Sequence, residues 1–178
     1  MVSRVVFTPS APVTSPTTKV GGQPVWLSAP TWPLSASTGE PMSFVGQFEL
    51  PGRVAYLFMT SSDEFVDGTY EPEGGENAFF CQPGPLPSFL RFSSVATGPT
   101  HSARDYTVAE GESESDIGSR VGGSPSWLQN PEVPYGASEF IAQLDSCDLP
   151  FEINFGDAGI GYAFVSPSGE GRFLWQCC

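Results

Sequence analysis

Few residues in this chain could carry acid–base or nucleophilic chemistry. His101 is the one histidine, so it would have to act as the sole imidazole base. Neither Ser43 nor Ser146 lies in a GxSxG elbow that would activate its hydroxyl. Cys147 has an aspartate two residues before it and another directly after it, and their negative charges disfavour the thiolate form. The sequence therefore predicts an exposed loop histidine and no enzyme.

Carboxylates are the abundant reactive groups. The chain has 20 Asp and Glu against 7 Lys and Arg, a net charge of −13, but no spacing singles out a hydrolytic pair. A carboxylate-based enzyme is therefore the least favoured alternative. Asp157 is the most distinctive single acid because it stands in Gly156-Asp-Ala-Gly159. We favour an Asx-type turn there, and the alternative is contact with a partner's Lys or Arg, together with Asp145 and Glu152.

The charge also excludes several classes of function. Phosphates of nucleic acids and anionic membranes repel a strongly negative protein, so we expect neither as a partner. Neither GxxxxGK[ST] nor GxGxxG occurs, and no apolar run is long enough for a signal peptide or a membrane span. Cytoplasmic localisation is the resulting expectation. The four cysteines form no CxxC pair, so we predict free thiols, no metal and no cofactor.

An internal repeat organises the chain. The segment Lys19–Leu27 (KVGGQPVWL) reappears as Arg120–Leu128 (RVGGSPSWL), with six of nine positions identical. Three more blocks recur in the same order: 44–49 with 140–145, 54–59 with 160–165, and 79–82 with 173–176. In each glycine-rich turn, a tryptophan (Trp26 or Trp127) is expected to cover the core.

The repeated blocks predict the fold. Alternating and short apolar runs rich in aromatic residues are typical of β-strands, and frequent Gly and Pro argue against long helices. We predict a mainly β fold (α+β at most), with two intertwined duplicated halves in one domain. The predicted boundaries are an extended N-terminal arm at 1–18, a first half at 19–102, an acidic linker at 103–119 and a second half at 120–178.

These motifs resemble the YwqG-like family, a bacterial domain of unknown function. The resemblance covers most of residues 19–178 and rests on the Gly-Gly-x-Pro-x-Trp turn, Pro41–Gln47, Gln143–Ser146, Gly156–Gly159 and Trp175–Cys177. It implies a duplicated, intertwined β fold and no known catalytic residues. The turn is also similar to one in the programmed cell death protein 2 family, whose members chaperone a basic ribosomal protein. This chain lacks that family's zinc-type cysteines, so the resemblance implies no metal.

Two acidic segments, Asp63–Glu76 and Glu110–Asp116, lie between the repeated blocks and predict the function. Clustered carboxylates near aromatic residues steer and hold a basic protein. We therefore expect a non-enzymatic binding module, an immunity-type protein that neutralises a basic toxin. The alternatives are a chaperone of a basic client and a charge that serves solubility alone. The predicted partner-binding residues are Asp63, Glu64, Asp67, Glu71, Glu73, Glu76, Glu110, Glu112, Glu114, Asp116 and Asp157.

Overall fold

The computed structural model describes residues 4–112, 117–137 and 139–178, and these contain strands but no helix. The mainly β prediction is confirmed. No helix in the described part of the chain is long and apolar enough to cross a membrane. The strands are β1 Arg4–Pro9, β2 Lys19–Gly21, β3 Trp32–Leu34, β4 Ser43–Leu50, β5 Arg53–Met59, β6 Asn77–Gln82, β7 Arg91–Ser93, β8 Asp105–Gly111, β9 Arg120–Val121, β10 Glu139–Asp145, β11 Ile160–Val165 and β12 Gly171–Gln176.

Ten strands form one antiparallel sheet in the order β12-β11-β10-β9-β1-β8-β2-β4-β5-β6, and β3 and β7 form a small second sheet. Each half contributes a three-stranded meander, β4-β5-β6 or β10-β11-β12. The two halves meet through an exchange of strands. β1 precedes the first half in sequence but pairs with β9 of the second, whereas β8 pairs with β2 of the first.

This exchange corrects the predicted roles of the arm and the linker. β1 and β8 pair with each other at the centre of the sheet, with Phe7 opposite Val108. Both of these side chains are partly buried and pack against the central core. Thr107 and Ala109 of β8 face solvent, and of the four acids in the predicted linker this strand contains Glu110, which is exposed near its end.

The core has a layer on each face of the meanders. In β5, Ala55, Leu57 and Met59 join a central cluster that contains residues of both halves. Tyr56 and Phe58 point the other way, into a cluster with Trp32 that belongs to the first half. A smaller cluster around Tyr162 and Phe164 occupies the corresponding place in the second half. Because both faces of β5 and β11 are buried, residues 54–59 and 160–165 are continuously apolar.

The two halves hold their tryptophan turns by the same contacts. The hydroxyl of Tyr56 accepts the N–H of Leu27 at 2.8 Å, and that of Tyr162 accepts the N–H of Leu128 at 2.9 Å. Each hydroxyl also donates to the carbonyl two residues earlier in the turn. Burial raises the pKa of both phenols to about 12, so both keep the proton that they donate. These shared contacts favour the duplication, which stays a prediction.

The sheet nearly closes on itself where β12 approaches β6. At Gly171 a Cβ atom would lie 2.1 Å from the carbonyl oxygen of Phe79, so glycine is required for this approach. The loop between β5 and β6, residues 60–76, crosses the same junction and is called the acidic loop below. Trp175 donates from Nε1 to Thr69 Oγ1 at 3.3 Å, and Arg172 pairs with Glu73 at 3.0 Å. The acidic loop of the first half is thereby fixed to the last strand of the second.

Candidate functional site

A cavity of about 660 Å³ lies between the two halves, and we call it the inter-half cavity. One wall is the end of β5 and the start of the acidic loop, residues 59–64. The loop after β10 also lines it, through Ser146 and residues 152–154, and so does His101. Three acidic residues, Asp63, Glu64 and Glu152, line it, and no Lys or Arg is among the described residues that do so. The sheet topology thus joins acids that are about 90 residues apart in sequence.

The acidic loop presents most of its predicted partner-binding residues to solvent. Its exposed acids are Asp63, Glu64, Asp67, Glu71 and Glu73. Within the described part of the chain, only Glu73 of these five pairs with a cation, at Arg172. Between the acids, Phe65 is 63% exposed and Tyr70 is 43% exposed. The loop therefore combines unneutralised charge with two large apolar side chains in water.

Glu76 is a correction to the predicted partner-binding set. Its side chain is buried, at 3% exposure, and it lies at the end of the acidic loop. Its carboxylate accepts hydrogen bonds from Ser35 Oγ at 2.7 Å, Thr60 Oγ1 at 2.6 Å and Ser37 N at 2.9 Å. Burial by itself raises the pKa of Glu76, but these hydrogen bonds outweigh it and hold the pKa below its usual value. Glu76 is a structural anchor that a partner does not reach.

The second acidic segment lies apart from the inter-half cavity. Glu110 is an exposed residue of β8, opposite Val5 of β1, and Glu112 is exposed just beyond that strand. Neither residue lines the cavity. Glu114 and Asp116 lie outside the described residues. The structure therefore does not bring Glu110 and Glu112 together with the acidic loop at the cavity.

Asp157 lies next to the cavity wall, with an exposed side chain. The Asx turn predicted there is made by Asn154 instead, whose Oδ1 accepts the N–H of Gly156 at 3.0 Å. An aspartate at 145 makes a similar turn by accepting the N–H of Cys147 at 2.9 Å. The Asp157 carboxylate therefore does not form the turn that the sequence predicts for it.

His101 differs most from its predicted position. It is partly buried, its ring stacks on Phe151 with centroids 5.9 Å apart, and its backbone N–H donates to the carbonyl of Phe44 at 3.0 Å. Its Nε2 is shielded from solvent and has no hydrogen-bond partner among the described residues. Burial lowers the pKa of His101 to about 4, although a hydrogen bond with the backbone of Glu152 acts in the opposite direction. No local sequence signal distinguishes this histidine from an exposed one, since Phe151 and Glu152 lie 50 residues away.

Acid should destabilise the fold through His101. Its pKa in the folded chain lies below its ordinary value of 6.5, so the unfolded chain binds the extra proton first as the pH falls. Stability is then full above pH 6.5 and declines towards pH 4. We expect a loss of about 2 kcal/mol between about pH 7 and pH 5 in urea unfolding. His101→Gln should remove most of this dependence of the unfolding free energy on pH. An unchanged pH dependence would contradict the burial of a neutral imidazole.

The cysteines are all free, as predicted, and Cys81 is the buried one. Burial raises the pKa of the Cys81 thiol and keeps it protonated. Among the residues that the structure describes, no group of three or more His, Cys, Asp or Glu is arranged to hold a metal ion.

Comparison with known families and proteins finds no match: no family model fits the chain, and no curated protein is significantly similar to it. The resemblance to the YwqG-like family therefore stays a prediction. The assignment of function depends on the chemistry of the acidic loop and the inter-half cavity.

Proposed function

We propose that this protein is a non-enzymatic module that binds a basic protein partner through the acidic loop. The observation that carries the proposal is the exposure of five carboxylates together with Phe65 and Tyr70 on one loop. Interfaces place aromatic side chains where they desolvate fully on binding, and surrounding charge selects the partner. Acids that served solubility alone would need no exposed Phe between them.

The anchoring of the loop supports the proposal. Glu76, Trp175 and Arg172 hold both the end and the middle of the loop on the scaffold. A loop that is already ordered loses less conformational entropy when a partner binds. The contacts therefore favour a preformed recognition surface over a segment that orders only in the complex.

For the biological role, we propose an immunity-type protein that neutralises a basic toxin. A negatively charged surface associates rapidly with a cationic partner, as an inhibitor of a cationic nuclease requires. A neighbouring toxin gene would support this role. A neighbouring gene for a ribosomal protein or assembly factor would support a chaperone of a basic client instead.

The proposal predicts charge-dependent binding of a cationic peptide. We expect the protein to bind an arginine decapeptide in isothermal calorimetry, more weakly at about 500 mM than at about 50 mM salt. The variant Asp63→Asn/Glu64→Gln should bind about tenfold more weakly, because it removes two charges beside the cavity. Phe65→Ala should weaken binding further at both salt concentrations.

The matched control removes two exposed acids elsewhere. Glu49→Gln/Glu110→Gln makes the same change in net charge at residues that belong neither to the acidic loop nor to the lining of the inter-half cavity, and should alter affinity less than about twofold. Equal losses in the two double variants would show that net charge alone attracts the peptide. That result, or binding that does not depend on salt, would refute the proposal.

A further inference from the structure

We propose that residues 133–135 are an open edge that pairs with an extended segment of a basic partner protein. They lie in the second half, between its tryptophan turn and β10. This surface shares no residue with the acidic loop or the inter-half cavity, so its role goes beyond the proposed function. The corresponding edge of the first half is β3, which is already paired with β7.

The two halves continue alike in sequence beyond their tryptophan turns. Residues 27–34 read LSAPTWPL and residues 128–135 read LQNPEVPY. A leucine and two prolines recur at the same spacing, and a large apolar residue stands on each side of the second proline. The second proline is buried in both halves. By this alignment, residues 133–135 correspond to β3.

The contacts that hold the two segments agree with this correspondence. A glutamine at the end of each meander, Gln82 or Gln176, accepts the backbone N–H of the first residue after the leucine, at 3.1 Å and 3.0 Å respectively. Its Nε2 donates to the next carbonyl at 2.8 Å in both halves. The carbonyl of the second proline accepts an N–H from its own half, at 3.0 Å in both. Residues 133–135 therefore lie in the second half where β3 lies in the first.

Only the first half covers this segment. There β3 pairs with β7, and Trp32 is fully buried. Val133, which corresponds to Trp32, is 52% exposed, and Tyr135 is fully exposed. Within the described part of the chain, neither Val133 nor Tyr135 takes part in a hydrogen bond. Backbone groups that lack a partner at such an edge are a template for an added strand.

A second position on the same side is open as well. In the first half, the chain beyond β7 bonds to the start of β4: Phe44 donates its N–H at 2.9 Å and accepts at its carbonyl at 3.0 Å. Phe140 has the same place at the start of β10, but it receives no such segment from the described residues and is only half-buried. Residues 91–101 reach both positions in the first half. One extended segment of similar length can therefore reach both in the second.

Charge and the first-half contacts indicate the chemistry of the added strand. Residues 121–171 contain seven acids and no Lys, Arg or His, and the exposed Glu132 directly precedes the open edge. In the first half, Leu90 and Phe92 reach the apolar cluster, and Arg91 between them is exposed. We therefore expect a partner segment with apolar residues at alternate positions and a Lys or Arg between them.

The test is an NMR titration of the labelled full chain with a capped synthetic peptide that copies residues 88–102. This probe has one arginine, no acid and the expected apolar spacing. We expect saturable shifts at Val133, Tyr135 and Phe140, with a dissociation constant on the order of 0.1 mM. The amide hydrogens of Val133 and Tyr135 should also exchange more slowly with solvent in the complex, because strand pairing protects them.

Variants of the peptide and of the chain separate strand pairing from general attraction. In the peptide, Leu90→Asp/Phe92→Asp should abolish binding, and Arg91→Glu should weaken it about tenfold. In the chain, Val133→Asp should weaken binding at least about tenfold. The matched control is Leu86→Asp, which makes the same kind of change at another exposed apolar residue and should leave the affinity unchanged.

Four results would overturn the inference. Absence of a saturable shift at Val133, Tyr135 and Phe140 would show that the edge accepts no strand, and shifts centred on the acidic loop would show attraction by charge alone. Protection of the Val133 and Tyr135 amides in the free chain would show that the chain fills the edge itself. A dimer that Val133→Asp dissociates would show that a second copy fills it. The proposed function is tested separately, by the arginine decapeptide.

Discussion

Replacing Asp105 with alanine should lower the free energy of unfolding by about 3–5 kcal/mol, because it leaves a buried ammonium group without its counter-ion. Lys19 is fully buried, and its Nζ lies 2.9 Å from Asp105 Oδ1. The same ammonium donates to the carbonyls of Gly21 and Gln23. Burial lowers the pKa of Lys19, and the hydrogen bond and charge of Asp105 act against that shift. Asp105 also accepts the N–H of Val13, so its loss releases the segment after β1.

A double variant distinguishes the cost of leaving one buried charge unpaired from the cost of losing both charged side chains. Lys19→Met/Asp105→Leu removes both charges, and apolar replacements of a buried pair are often tolerated. We expect it to recover at least half of the stability lost in Asp105→Ala, with the free carbonyls of Gly21 and Gln23 limiting the recovery. Urea unfolding of the three proteins measures this. If the double variant is less stable than Asp105→Ala, the cost does not come from an unpaired charge.

Replacing Glu76 with alanine should cost about 3–4 kcal/mol of unfolding free energy. Its carboxylate is the common acceptor for two hydroxyls and one backbone N–H, from Ser35, Thr60 and Ser37. Each charge-assisted hydrogen bond contributes about 1.5–3 kcal/mol, and bonds that share one acceptor group are not additive. The truncation leaves these donors buried and frees the end of the acidic loop.

The matched control for Glu76→Ala is Glu64→Ala in the same loop. Glu64 is exposed, so this truncation should change stability by less than about 0.5 kcal/mol. The folded pKa of Glu76 is below its ordinary value of 4.5, so its contribution is present above that pH and is lost on further acidification. Equal effects of the two variants in urea unfolding at neutral pH would contradict the structural role of Glu76.

The strands of the two meanders could be predicted from sequence because their pattern is local. The blocks 44–49 and 140–145 alternate within themselves, and the structure places β4 and β10 there. The central strands could not be predicted in the same way. β1 and β8 pair across about 100 residues. Apolar and polar residues alternate only weakly in these two strands, and the compositions of residues 1–18 and 103–119 are typical of an arm and a linker.

The candidate site shows the same division between local and long-range information. The acidity of the loop was evident in the sequence, and five of its six predicted acids are exposed. Burial of Glu76 depends on Ser35 and Ser37, about 40 residues earlier, so charge clustering alone misassigned it. The places of His101 and Glu152 beside the cavity depend on the strand exchange, which brings the two halves together.

The central claim is that a basic partner contacts the acidic loop in preference to the other acidic surfaces. Its most direct test is a heteronuclear NMR map of the labelled protein with the arginine decapeptide. The account predicts saturable shifts confined to residues 60–73, His101 and residues 146–156. Shifts spread evenly over all exposed acids, or centred on Glu110 and Glu112, would contradict it.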